Sequence, residues 1–121
     1  MRPLVVAGAL LLGYIAGCEH RASIGLTQSV PGLIDQAAAE YGIPQAAPHL
    51  RAIAWCESRW FPGAFNRASG ASGLFQFVWR TWRYASRRAG FGGASPFDAV
   101  ANVWSATWLY RAEGPRHWVC R

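Results

Sequence analysis

The chain has 121 residues, with 12 Arg, no Lys and 6 acidic residues, for a formal net charge of +6. That length holds at most one small domain. The charge favours anionic partners: wall carboxylates, phosphates or lipid head groups for an exported chain, nucleic acid for a cytosolic one. His20, His49 and His117 have no metal-ligand spacing with one another or with a cysteine, and no glycine-rich phosphate loop follows a strand. No metal and no cofactor are therefore expected.

Taken in chain order, the first feature is Arg2 followed by an apolar run over residues 4–16, interrupted only by Gly8 and Gly13. Such a run is short for a membrane span and fits a signal-peptide core. It closes on Ile15-Ala16-Gly17-Cys18, which resembles a lipobox. That resemblance implies cleavage before Cys18 and lipidation on it. Residues 1–17 would then be a signal peptide, and 18–30 a lipid-anchored tether. Losing 1–17 removes one Arg and no acid, so the remaining chain keeps 11 − 6 = +5. A folded domain is expected over 31–121. Its first helix opens at Pro31 and stops at Gly42 and Pro44; its second runs from Pro48 to Ser58. Residues 61–73 read as a loop or small hairpin. Residues 74–89 read as a helical turn followed by a helix that carries Trp79 and Trp82. Arg80, Arg83 and Arg87 share another face of that helix. After the glycine-rich break at 90–95, the last helix is expected from near Pro96 to Ala112. No internal repeat or strand alternation appears, so the domain is expected to be mainly α.

Leu50, Ile53, Ala54 and Glu57 fall at i, i+3, i+4 and i+7, one face of the second helix. A carboxyl that ends an apolar stripe does not lie on a solvated face, and a Glu so placed is a candidate proton donor. Glu57-Ser58 is followed by Pro62, Ala64 and Asn66, then by Ser69-Gly70-Ala71-Ser72-Gly73-Leu74-Phe75-Gln76, Thr81-Trp82 and Pro96-Phe97-Asp98 with Asn102. This order resembles the lytic transglycosylases of goose-type-lysozyme-like fold, over about half of the chain. The family's usual Tyr-Asn-Ala-Gly segment has no clear match; Tyr110 and Glu113-Gly114-Pro115 are the nearest candidates.

The resemblance implies a small lysozyme-like domain, with a short loop or hairpin after the catalytic helix. It would cut peptidoglycan between N-acetylmuramic acid and N-acetylglucosamine. Glu57 would be general acid and then base, and the product a 1,6-anhydro end. Ser58, Gln76, Phe77, Trp60 and Trp79 are the expected substrate contacts, with a backbone-binding role as the alternative for Gln76 and a helix-capping role for Ser58. Gly70, Gly73 and Leu74 belong to the structural motif. Trp55, Trp104 and Trp108 are expected in the core. A hydrolytic outcome needs a second acid; Asp35, Glu40 and Asp98 read as surface or capping residues, leaving Glu113. If Cys18 carries lipid, Cys56 and Cys120 remain as a disulfide or as two buried thiols. The expected setting is the cell envelope, as a monomer anchored through Cys18 and without nucleic acid. The alternatives are a hydrolytic lysozyme with a signal-anchor and a non-catalytic glycan-binding module.

Overall fold

Ser29 starts the first helix, α1 (Val30–Glu40): its Oγ accepts the Gly32 N–H at 3.2 Å, and Pro31 sits in the first turn, where a missing N–H costs nothing. The helix ends in a paired closure. The Ile43 N–H reaches the Ala38 carbonyl at 2.8 Å and the Gly42 N–H the Ala39 carbonyl at 3.0 Å, with Gly42 left-handed at φ 73°. The computed structural model describes residues 28–121. The expected signal peptide, Cys18 and most of the 18–30 tether lie outside the described residues. Among the described residues, no helix is long and apolar enough to cross a membrane.

A short 3-10 turn, Pro44–Ala46, leads into α2 (Ala47–Ser58). Arg51 of α2 pairs with Asp35 of α1, and the His49 ring nitrogen lies 2.8 Å from the Tyr110 hydroxyl. The loop that follows has no strand; it is pinned by isolated bridges from Phe65 to Ser72 and from Ser72 to Phe77. Helix α3 (Trp79–Arg88) buries Trp82, Ala85 and Ser86. Helix α4 (Ala99–Glu113) is buried around most of its circumference and packs against both α1 and α3. It starts at Ala99 and not near Pro96, because Asp98 is the cap: its carboxylate accepts the Ala101 N–H at 2.9 Å. Trp104 and Trp108, expected in the core, lie half-buried at its edge.

One buried amide joins the loop to α4. Asn102 is 0% exposed; its Oδ1 accepts the Phe75 N–H at 2.9 Å and its Nδ2 donates to the Pro96 carbonyl at 2.7 Å. Gly73 passes directly over this contact at φ 83°, and a Cβ there would lie 2.2 Å from the Pro96 oxygen. Gly73→Ala is therefore expected to cost about 3 kcal/mol, combining backbone strain with the clash. Gly70, also left-handed but with open space beside it, is expected to cost only about 1 kcal/mol as Ala. Urea midpoints of the two variants give the comparison, and equal losses would show that the Gly73 contact relaxes freely.

After α4 a 3-10 turn, Gly114–His117, redirects the chain. Trp118 then returns to the core at 4% exposure, donating its indole N–H to the Phe75 carbonyl at 2.9 Å. Two residues later, Cys120 is disulfide-bonded to Cys56, with Cα atoms 6.0 Å apart.

Candidate active site

The apolar stripe of α2 buries Leu50, Ile53 and Ala54 completely or nearly so, and Glu57 ends it half-buried, in the last turn. The helix stops immediately afterwards through two left-handed residues, Arg59 at φ 55° and Trp60 at φ 61°. Neither is glycine, an uncommon conformation for such residues. Local bonds hold it. The Arg59 N–H donates to the Trp55 carbonyl at 2.8 Å and the Trp60 indole N–H to the Arg51 carbonyl at 3.1 Å. Trp60 also meets Trp55 edge-on at 5.1 Å, and the Arg59 guanidinium lies 5.2 Å from the Trp55 ring. Trp55 is thus a correction: expected in the core, it is 46% exposed, because the buried face of α2 is already taken by the aliphatic stripe.

The carboxylate of Glu57 meets one polar group, the Cys120 backbone N–H, at 3.4 Å from Oε2. The disulfide joins the neighbouring residue, Cys56, to that same segment. The remaining expected site residues separate into two groups. Trp79 is 65% exposed, and Trp60 is half-buried. Ser58, Gln76 and Phe77 face inward. The Ser58 hydroxyl donates to the Ala54 carbonyl at 3.0 Å, back along its own helix. Gln76, left-handed at φ 51°, uses its amide nitrogen on the carbonyls of Ala64 at 3.2 Å and Gly73 at 3.0 Å. Phe77 is 4% exposed, its ring 5.2 Å from Trp82 and 6.5 Å from Trp118; the ring face is a core contact, not the open cleft surface anticipated. Leu74 is fully buried.

Below Trp118 lies a small cavity of about 70 Å³, lined by Gln76, Phe77, Val78, Thr81, Leu109, His117 and Trp118. A wider hollow, about 450 Å³, lies by His49, Tyr110 and Arg111, and no carboxylate lines it. Sequence reasoning missed Asn102 as the anchor of the motif loop and Trp118 as the residue that returns the last segment to α2. Their partners lie 27 and 43 residues away, beyond any local pattern.

The other carboxylates are engaged. Asp35 pairs with Arg51, Asp98 caps α4, and Glu40 accepts from the Trp104 indole at 3.0 Å. Glu113 accepts from the Tyr84 hydroxyl at 2.7 Å and from Arg116 at 3.0 Å, and lies 2.6 Å from His117 Nε2. The Tyr84 hydrogen bond, then those of His117 and Arg116, hold its carboxyl down at about 2; the same contact pushes the Tyr84 hydroxyl up. A depressed folded-state value contributes stability above the ordinary carboxyl range and loses it as pH falls toward 2. Glu113→Gln is therefore expected to flatten the acid limb of the stability–pH curve between about pH 4.5 and 2. Denaturant titrations across that range check it; an unchanged acid limb would remove Glu113 from the account.

These four helices, with the loop folded over the end of α2, form a small lysozyme-like helical domain. Residues 32–112 match the model of the transglycosylase SLT domain. The match covers more than half of the chain, which belongs to the transglycosylase SLT domain family. It is similar to a probable transglycosylase SceD of Staphylococcus epidermidis, 40% identical over 73 residues, 59% of this chain and 33% of that protein. SceD of Staphylococcus aureus strain Newman is likewise 40% identical over 73 residues, 59% of this chain and 31% of that protein. The matched segment thus spans about a third of the length of these curated relatives. No solved structure gives a significant match.

Proposed function

We propose that the chain cleaves peptidoglycan glycan strands at the β-1,4 bond between N-acetylmuramic acid and N-acetylglucosamine, with Glu57 as general acid and then base. The observation that carries this reading is the state of the acids. Among the five carboxylates of the described residues, Asp35, Glu40 and Glu113 are taken by side-chain donors or cations and Asp98 is spent as the cap of α4, whereas Glu57 meets only the Cys120 backbone N–H and stands at the end of α2 where the family motif begins. It protonates the leaving oxygen while the sugar develops oxocarbenium character. The carboxylate so formed then takes the proton of the C6 hydroxyl, which closes on the anomeric carbon. Among the described residues no second carboxylate is free to activate water, since the Glu113 oxygens are already taken by Tyr84, Arg116 and His117, contacts that make it a weak base. That favours the 1,6-anhydro product over hydrolysis.

Trp79 and Trp60, at the edges of the motif, supply aromatic faces for the sugar rings. Ser58 and Gln76 act by fixing the end of α2 and the motif loop, through the backbone bonds already described. The N-terminal apolar run and Cys18 suit an export signal with a lipid anchor, which would hold the domain at the membrane beside its substrate. Mass spectrometry of muropeptides tests the chemistry. Anhydro ends, one water lighter than reducing ends, are expected; predominantly reducing ends would make the chain a hydrolase.

A further inference from the structure

Helix α3 is amphipathic in an unusual way. Its buried side holds Trp82, Ala85 and Ser86. At 100° per residue, the opposite arc carries in order Trp79, Arg83, Arg87, Arg80, Tyr84 and Arg88, all exposed. Four of six are arginine, two are aromatic, and none is acidic or neutral polar. None of the four arginines is ion-paired with a described residue; Arg88 instead lies 4.3 Å over the Tyr84 ring. Arg80 and Arg83, and Arg83 and Arg87, stand at i,i+3 and i,i+4, spacings at which like charges destabilise a helix. Arg87 and Arg88 are offset by the helix C-terminus; Arg80 and Arg83 have no such compensation inside the fold.

A chain of neighbouring residues links this face to the candidate site. Glu57 touches the amide of Cys120; Trp118, two residues earlier, lines the small cavity together with Val78 and Thr81, at the start of α3. The exposed Trp79 follows Val78, and the arginines continue from it along about 12 Å of helix.

We propose that this face of α3 binds the carboxylates of the stem peptides carried by the peptidoglycan strand, so that the domain recognises peptide-bearing strands in preference to bare glycan. The proposal rests on the peptidoglycan reading above and deepens it. The chemistry is complementary on both counts: guanidinium groups match carboxylates with paired N–H donors, and the interleaved rings suit an amphipathic chain of sugars and small amino acids.

The test uses the full chain carrying Glu57→Gln, with and without Arg80→Gln/Arg83→Gln/Arg87→Gln, in co-sedimentation with insoluble peptidoglycan sacculi. Three forms of sacculi are compared: untreated, with carboxyls blocked by methylamidation, and stripped of stem peptides by an amidase. All are freed of phosphodiester polymers. Loss of the three arginines is expected to weaken binding to untreated sacculi about tenfold, the sum of three modest ion pairs. Blocking or stripping the carboxylates should weaken the parent protein by a similar factor, and Arg→Lys at the three positions should restore only part of the lost binding, because an ammonium keeps the charge but not the paired N–H donors. Equal binding of parent and arginine-free proteins to untreated sacculi would overturn the proposal. So would undiminished binding of the parent to blocked sacculi, or an arginine effect seen only when phosphodiester polymer is added back. With Glu57 restored, short peptide-free glycan strands should be cut equally by proteins with and without the three arginines. Failure of both to cut them counts against the catalytic reading, and leaves the sacculus-binding comparison to decide this one.

Discussion

Replacing Glu57 by Gln is expected to abolish strand cleavage, lowering turnover by at least the ~10²–10⁴-fold typical of a general acid–base group. The substitution keeps the size of the side chain, and the Gln carbonyl oxygen still accepts from the Cys120 N–H, so the contact at 3.4 Å survives in kind. What disappears is the transferable proton, and with it the base for the second half of the reaction. The half-buried position at the end of α2 gives the amide no cation to abandon, because Glu57 has no ion pair. Thermal unfolding should therefore match the parent protein. A purified Glu57→Gln protein that released muropeptides at the parent rate would refute the assignment outright.

The second large effect concerns the link beside that glutamate. Cys56 and Cys120 are 64 residues apart, so their bond closes a long loop. In the chain-entropy model, a loop of that size restricts the unfolded chain by about 4 kcal/mol. For a domain of this length that is a large share of the total, since small domains bury too little surface to be stable by a wide margin. Changing both cysteines to serine should lower the urea midpoint by the corresponding amount, and a reductant should do the same to the parent but not to the variant. Trp118 keeps its own anchor, an indole bond to the Phe75 carbonyl and ring contacts with Phe75 and Phe77. The last residues should thus loosen around Cys120 before Trp118 leaves the core. A double-serine protein as stable as the parent would show that packing alone holds the segment.

What the sequence disclosed depended on whether the cause was local. Pro31 and the Gly42–Pro44 stop bracketed α1 because capping acts over one turn, and the stripe from Leu50 to Glu57 reported the buried face of α2 correctly. The start of α4 was misplaced at Pro96 because a proline before a helix resembles one inside its first turn. Only the cap bond from Asp98 to Ala101 distinguishes them. Trp55 was misread for a related reason. Size argued for burial, but the helix had already committed its inner face, and the ring is sheltered by Arg59 and Trp60 instead. The inward turns of Ser58, Gln76 and Phe77 were hidden because the motif signals that a loop of this type exists, not which of its side chains support it and which meet a ligand. Asn102 lay within the family-like segment, but its hydrogen bonds with Phe75 and Pro96 required three stretches of chain to converge.

The covalent ring that runs from Cys56 round to Cys120 has a topological consequence. It encloses the exposed loop of residues 61–70, α3 and α4, with Glu57 just inside its first bond and the Gly73–Gln76 turn further round. A protease that cuts the exposed loop severs the backbone between the glutamate and that turn, yet releases no fragment. The two pieces stay tethered through sulfur, one on each side of the nick. Buried contacts such as Asn102 with Phe75 lie wholly within the downstream piece and need not open. A nicked molecule would run as a single species until reduced, and only then part into two.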